Sequence, residues 1–498
     1  MTLKYVLSSD GKSYGVSGYS GVSTSIVIPE TFVNLPVTSI EDFAFGNCDC
    51  LTSITLPNSL LRIGNWAFSS CTALTGILIP ASVQSIGNFA FSSCSVFKSF
   101  TIDEANPNFE TDGKGLYNKG KTRLLSYAIG LSDSTYDLPN TLVETAPGVF
   151  GSSEFITEMT FPTSFENLGN YTFNACSKLV KVTLPVSLKS IGDFAFFSCE
   201  SLTSITIPNL VTSLGYETFY GCTALASVTL SSSLDSIGDE AFYGCSALTA
   251  ITLPVSLTSI GIESFTCCSS LTSISLPAYL KSMGIANFYG CTALKSFAVD
   301  AKNSTFETDG KGLYLKKKTR LLSYALGAPD SSYVLPDTLV KIDSSAFEDC
   351  QNLISVSLPA SVTTIGSDAF CGCRALTSFV VASGNVDFET DGKGLYNKGK
   401  TELLAFAAGC QDTSCTLPDS LVIIGERAFD HCAALTQITV PSAVSYINYL
   451  AFNDCTSLST FTYVGSKSDW ATVSLGRNWN KNCPLLKVIT CTDGTVTL

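Results

Sequence analysis

The sequence predicts a repeat solenoid, one short phrase wound into a coil again and again, and three observations predict it. A phrase of 21 residues at 51–71, LTSITLPNSLLRIGNWAFSSC, returns at 74–94 and 179–199 and then runs on from Leu202, Leu225, Leu248 and Leu271. Its phenylalanine recurs at Phe45, Phe68, Phe91, Phe150, Phe173, Phe196, Phe219, Phe242, Phe265, Phe288, Phe347, Phe370, Phe429 and Phe452, 14 copies in all. Every gap is 23 residues except three of 59, each 23 plus an excess of 36, and self-similarity at such a period marks a solenoid. The third observation is composition: 45% hydrophobic residues against 14% charged excludes disorder, and 498 residues exceed one ordinary core.

Each position of the phrase has a physical task. Leu51, Ile54 and Leu56 have the spacing of a short strand whose large residues face the core, leaving Thr52, Ser53 and Thr55 outward. Pro57 lacks an N–H and ends the ladder. Leu60 and Ile63 carry the chain back across the core. Gly64, present four residues before the phenylalanine in 10 of the 14 copies, suits a tight turn or close backbone approach. Ala67 and Phe68 open what reads as a short helical or 3-10 piece, and Cys71 closes the coil. One coil cannot bury both faces, but stacked coils share a core.

The phrase resembles the BspA-like leucine-rich repeats of bacterial surface proteins and some parasitic protists. Residues 14–45 resemble that family's entry coil, FETDGKGLYNKGKTRLLSYAIG its recurrent hairpin, and residues 463–498 its C-terminal cap. The resemblance implies a right-handed leucine-rich-repeat coil with short parallel strands on one face, short helical or 3-10 segments opposite, and three inserted β-hairpins. It divides the chain into an entry coil at 1–45, a solenoid at 46–460 with insertions at 103–138, 300–335 and 382–417, and a cap at 461–498. It also implies an extracellular or cell-surface adhesin that binds host or neighbouring-cell proteins or glycans. The alternative is an intracellular protein–protein interaction scaffold, because residues 1–10 have no signal-like pattern and the cysteines read as reduced.

Thirteen of the 20 cysteines lie on the repeat: Cys48, Cys71, Cys94, Cys176, Cys199, Cys222, Cys245, Cys268, Cys291, Cys350, Cys373, Cys432 and Cys455, with Ser153 in the fourteenth place. One residue type at one packed position reads as a small buried hydrophobe, and thiols stacked in a row do not converge on a metal. Off the ladder, Cys410 with Cys415 and Cys483 with Cys491 are spaced to close small loops.

The three insertions each carry FETDGKGLY and read as edge hairpins turning near residues 118–120, 315–318 and 397–399. Their hairpins hold 12 of the 29 basic residues: Lys114, Lys119, Lys121 and Arg123; Lys311, Lys316, Lys317, Lys318 and Arg320; Lys393, Lys398 and Lys400. Basic tips are candidate contacts for anionic glycans or acidic protein patches, or solvated ends that discourage edge pairing. Residues 115–122 and 394–401 fit the Gly-x-x-x-x-Gly-Lys-Thr phosphate loop, but a hairpin supplies no helix N-terminus to hold phosphate, so no nucleotide is expected. The outward hydroxyls, such as Thr203, Ser204 and Thr206, form a second candidate surface suited to weak multivalent contact or simply to strand filling.

No catalytic set is expected. His431 is the lone histidine and reads as a solvated loop residue, and no cluster offers a metal site, an acid–base pair or a cofactor. A net charge of −13 argues against nucleic acid, and no apolar run is long enough to span a membrane. A cytoplasmic location stays open.

Overall fold

A computed structural model describes residues 2–498, and the chain forms two compact units, the first ending at Phe265 and the second Thr266–Leu498. Both are β-solenoids. In the first, Thr2–Leu7 pairs antiparallel with Tyr14–Ser20, which pairs parallel with Leu35–Ile40 and so covers the open end of the coil stack. Strands Glu158–Thr160, Lys181–Thr183, Ser204–Thr206 and Ser227–Thr229 then pair in parallel, and partners such as Ser204 and Ser227 are one repeat apart. The middle residue of each is buried and its neighbours exposed, as the alternation predicts. The stretch expected only to cross the core makes a second parallel ladder, including Ser213–Leu214, Ser236–Ile237 and Ser259–Ile260.

The segment after the recurrent glycine differs from the sequence reading. Only Lys316–Lys318 and Lys467–Trp470 are helical among the described residues; elsewhere the expected helical pieces are tight turns. The cause lies in where the backbone hydrogen bonds go. The N–H of Phe196 donates to Thr218 O at 2.9 Å and that of Ser198 to Tyr220 O at 2.7 Å, so alternate amides bond to the next coil, and only those between them, such as Phe197 N–H to Phe194 O at 3.1 Å, bond within the turn. Each turn also has a residue of positive φ at either end, such as Trp66 at 57° and Ser70 at 56°, which stops any helix.

The phenylalanines stack as a spine. In the first unit, ring centroids from Phe150 through Phe173, Phe196, Phe219 and Phe242 to Phe265 lie 5.2–5.5 Å apart with interplanar angles of 6–12°. In the second, Phe347–Phe370 and Phe429–Phe452 repeat this at 5.2 and 4.8 Å. The structure also resolves the long gaps. Tyr127, Tyr324 and Phe406, each 23 residues before the next spine phenylalanine, pack against Phe150, Phe347 and Phe429 at 5.2, 5.2 and 4.9 Å, the tyrosines tilted by 54° and 33°. Each 36-residue excess therefore contains one whole coil plus 13 residues. Gly130, Gly327 and Gly409 take the cysteine place there, and a Cβ at Gly130 would lie 2.3 Å from Val96 C.

None of the twenty cysteines is in a disulfide. The ladder thiols donate to the carbonyl of the spine phenylalanine one coil back: Cys71 to Phe45 O, Cys199 to Phe173 O and Cys245 to Phe219 O, at 3.1–3.2 Å. Burial pushes the Cys94 and Cys176 thiols up to about 12. Neither off-ladder pair closes a loop. Cys410 donates to Asp412 at 3.0 Å, and Cys483 to Phe452 O at 2.9 Å, which makes Cys483 a further rung of the ladder in the cap. The second unit ends on that cap: Trp470 and Trp479 are buried against Phe461, and Val488–Cys491 turns back antiparallel onto Gly494–Thr497.

Candidate recognition surface

The basic residues of the insertions are largely spent on holding them in place. Each insertion is a three-stranded antiparallel meander, Phe109–Thr111, Gly115–Asn118 and Arg123–Tyr127 in the first, so the hairpin has one more strand than the sequence suggested. Lys114 pairs with Asp133 at 2.7 Å, and Lys311 and Lys393 pair with Asp330 and Asp412 in the same way. Lys121, Lys318 and Lys400 each lie 5.6–5.7 Å over the ring of Tyr117, Tyr314 or Tyr396. Arg123 reaches Glu144 at 3.3 Å and Arg320 reaches Asp343 at 2.6 Å. Lys316 lies 3.9 Å from Glu307 and donates to Asn303 O, and Lys398 donates to Asn385 O. Lys119 and Lys317 stand exposed at their tips.

Below the tips, Tyr136 OH meets Tyr117 OH at 2.5 Å and donates to Asp112 at 2.6 Å, and Tyr333, Tyr314 and Asp309 repeat the arrangement. The phosphate-loop lookalike is closed by its own chain. The Gly120 amide donates to Glu110 at 2.6 Å and the Gly399 amide to Glu389 at 2.7 Å, so the amide an anion would use already holds a carboxylate. A strand follows in both places.

The hydroxyls of Thr203, Ser204 and Thr206 are exposed on the strand face, as the alternation placed them. Between them lies only buried Ile205.

His431 departs from expectation. It is half-buried, its Nδ1 lies 2.6 Å from Asp430 Oδ2 and its Nε2 3.5 Å from Asp454 Oδ2, because stacking brings residues of the next coil alongside. The hydrogen bond to Asp430 raises its pKa above the ordinary value. Arg427, Glu348, Asp368 and Cys371 extend the same network, with Arg427 3.2 Å from Glu348 and 3.6 Å from Cys371 Sγ. Arg427 Nε and Asp368 Oδ1, 3.9 Å apart, lie buried without a hydrogen-bond partner, and the cluster presents no ordered nucleophile–base pair.

The surface with binding chemistry is on the turns of the first unit, a place the sequence reading passed over. Two residues before the spine phenylalanine, successive coils carry Phe43, Trp66 and Phe89, then Gly148, then Tyr171, Phe194, Glu217, Glu240 and Glu263. Apart from Gly148, these are non-glycine residues held at φ of 49–60°, which turns their side chains out of the core. Trp66 stacks on Phe89 at 4.1 Å and 13°, and Tyr171 on Phe194 at 4.4 Å and 8°. Phe43 is 62% exposed, and the others are half-buried. One residue after the spine, Phe197, Tyr220 and Tyr243 form a shorter parallel column, stacked at 4.9 and 4.6 Å.

Gly148 breaks the longer column. A Cβ there would lie 2.3 Å from the Phe89 ring, so no larger residue fits. Phe89 and Tyr171 close over the gap edge to face at 5.9 Å, leaving a cleft of about 280 Å³ lined by Trp66, Phe89, Ser92, Ser152, Tyr171 and Asn174. An apolar wall with a few hydroxyl and amide groups at its rim is how small-group recognition sites are built. The signal was present in the sequence, since Phe43, Trp66 and Phe89, and after the first long gap Tyr171 and Phe194, are spaced by 23 residues.

Comparison with known proteins agrees on the fold. The BspA type leucine rich repeat region matches in six copies over residues 19–119, 130–225, 189–310, 329–392 and 402–497. Among solved structures, the chain is similar to a leucine rich cell surface protein of Faecalibacterium prausnitzii A2-165, at 24% identity over 94% of this chain and 95% of that one, TM-score 0.41. It is similar to a leucine-rich repeat protein of Bacteroides ovatus at 23% identity over 99% and 98%, TM-score 0.43. One from Eubacterium ventriosum is 20% identical over 76% and 93%, TM-score 0.47. No curated protein matches. The chain belongs to the BspA-type leucine-rich repeat family.

Proposed function

We propose that the protein is a non-catalytic recognition module of the adhesin kind, acting at or outside a cell surface on proteins or glycans of a host or neighbouring cell. One observation carries the reading: the half-buried aromatic column on the turns of the first unit, with its cleft at Gly148. Aromatic anchors supply most of the free energy in recognition surfaces, and the strand face has none between its small hydroxyl residues. The strand hydroxyls and the exposed lysine tips would then add weak contacts around that face.

The test compares binding of the full chain and two variants to arrays of matrix proteins and glycans. Phe43→Asn/Trp66→Asn/Tyr171→Asn keeps a residue tolerant of positive φ and should weaken binding at least about tenfold. Lys316→Glu/Lys317→Glu/Lys318→Glu should leave it nearly unchanged. An aromatic variant that binds like the parent, or a lysine variant that alone loses binding, would move the site off the turns. Twenty cysteines with no disulfide among them favour a second reading, an intracellular scaffold in a reducing compartment. Fractionation of the source cells separates the two, because protein confined to the cytosol defeats the adhesin reading.

A further inference from the structure

The turn face changes character partway along the first unit. From residue 190 to 265 there is no lysine, arginine or histidine, while seven acids are present: Asp193, Glu200, Glu217, Asp235, Asp239, Glu240 and Glu263. At the chain's mean density of 29 basic residues in 498, a stretch of this length would hold about four. Two of the acids are committed to the backbone, since Asp193 accepts from the Tyr216 N–H at 2.9 Å and Asp239 from that of Ile262 at 2.7 Å. Glu217, Glu240 and Glu263 follow one another in the outward column, and no cationic side chain lies within ion-pair distance of them among the described residues. Burial, and then the negative charge of Glu217 and Glu263, hold the Glu240 carboxyl above its usual range.

Beside this row run the stacked rings. The Tyr220 N–H donates to Glu217 O at 3.2 Å and the Tyr243 N–H to Glu240 O at 3.1 Å, so each turn places a carboxylate at one end and a phenol ring at the other. A carboxylate row against an aromatic wall is complementary to a flexible cation, whose charged head meets the acids while its stem or guanidinium plane lies on the rings. A neutral sugar would leave three adjacent negative charges uncompensated, and a sulfated one would be repelled.

We infer that this stretch, Glu217, Glu240 and Glu263 beside Phe197, Tyr220 and Tyr243, docks a lysine- or arginine-rich polypeptide segment. The inference rests on the recognition reading above and names the partner's chemistry.

Fluorescence anisotropy of labelled nona-arginine, nona-lysine and nona-glutamate against the full-length protein, at fixed physiological salt, tests it. Both cationic probes should bind and nona-glutamate should not. Glu217→Gln/Glu240→Gln/Glu263→Gln should weaken binding at least tenfold, while Glu104→Gln/Glu154→Gln/Glu158→Gln, with the same change in net charge, should shift it less than twofold. Tyr220→Leu/Tyr243→Leu should cost nona-arginine more than nona-lysine, with folding checked by circular dichroism. Equal losses in the two glutamine triples would reduce the effect to the overall negative field and overturn the inference, as would failure of the cationic probes to bind. If the probes fail while array binding still depends on Trp66 and Tyr171, the recognition reading stands and this inference alone falls.

Discussion

The spine of stacked phenylalanines makes a measurable claim about which residues feel one another. Phe219 is fully buried, with Phe196 at 5.2 Å on one side and Phe242 at 5.4 Å on the other. An aromatic pair contributes about 0.5–1.5 kcal/mol beyond its burial. Phe219→Leu keeps most of the buried surface but breaks two such pairs, and should cost roughly 1–3 kcal/mol. Phe196→Leu should cost a similar amount. In the double variant their shared pair is lost once and not twice, so the sum of the single effects should exceed the double effect by about 0.5–1.5 kcal/mol. Phe265 lies three coils from Phe196, so the cycle Phe196→Leu with Phe265→Leu should be additive within about 0.5 kcal/mol. Urea denaturation followed by circular dichroism reads both cycles. Equal coupling at one coil and at three would refute nearest-neighbour stacking as the source of the array's cohesion.

Three further predictions concern packing and ionisation. A Cβ at Gly87 would lie 2.5 Å from Asn65 N and 2.6 Å from Gly64 C, so Gly87→Ala should lower stability by about 1–3 kcal/mol, whereas Gly384→Ala, whose nearest neighbour is 3.5 Å away, should be near neutral in the same melts. Fifteen cysteines are buried and five half-buried, so a thiol reagent should label at most Cys48, Cys50, Cys267, Cys410 and Cys415 before unfolding and all twenty in denaturant; rapid native labelling beyond five would contradict the ladder. The Arg427–Glu348–His431 network should make the second unit most stable near pH 4.5. Burial pushes Glu348 up to about 7 from 4.5, so its contribution is complete below pH 4.5 and lost as pH rises through 7, about 3 kcal/mol in all. His431, also raised, adds a loss as pH rises above 6.5. Asp430 runs the other way: burial raises it, but hydrogen bonds from His431, Cys371 and Asn453 outweigh that, so its contribution is lost as pH falls below 3.8. Glu348→Gln should flatten the alkaline limb of the urea midpoint plotted against pH.

Where the sequence repeats without exception, the fold could be read from it. The spine, the thiol ladder and the exposed–buried–exposed strand follow from residues that each do one job in every coil. In the first two long gaps the coil was hidden because two of its marks change together, Tyr127 and Tyr324 replacing phenylalanine and Gly130 and Gly327 replacing cysteine; in the third, Phe406 keeps the phenylalanine and only Gly409 departs. The turns read as helix because Ala67-Phe68 is a good helical pair locally, while the bonds that forbid helix are made to a coil 23 residues away. Ion pairs such as Lys114–Asp133 and the Tyr136–Asp112 contact are likewise decided by stacking, so the basic residues looked freer in the sequence than they are. The aromatic column is a different case. Its period was there to be read, but attention to the strand face left it unread.

Whether that column serves binding or only the fold can be asked at one residue. Every turn has two positions of positive φ. The later one holds Asn47, Ser70, Ser93, Ser152, Ala175, Ser198, Gly221 and Gly244 in the first unit, mostly small residues that a left-handed turn favours. The earlier one, in the same turns and apart from Gly148, holds Phe, Trp, Tyr and Glu, side chains that cost about 1 kcal/mol or more in this conformation. Glu240 has no ring stack and only a 3.3 Å hydrogen bond from the exposed Tyr216 hydroxyl to offset that cost, and it stands between two other glutamates. Glu240→Asn would relieve both the backbone strain and the repulsion, and should raise stability by about 0.5–1.5 kcal/mol. The same change should weaken the cationic probes several-fold. A residue that costs the fold stability yet supports binding is what a functional position looks like. If Glu240→Asn instead destabilised the first unit, the carboxylate row would be part of the fold's own support, and the case for a docking face built on it would collapse.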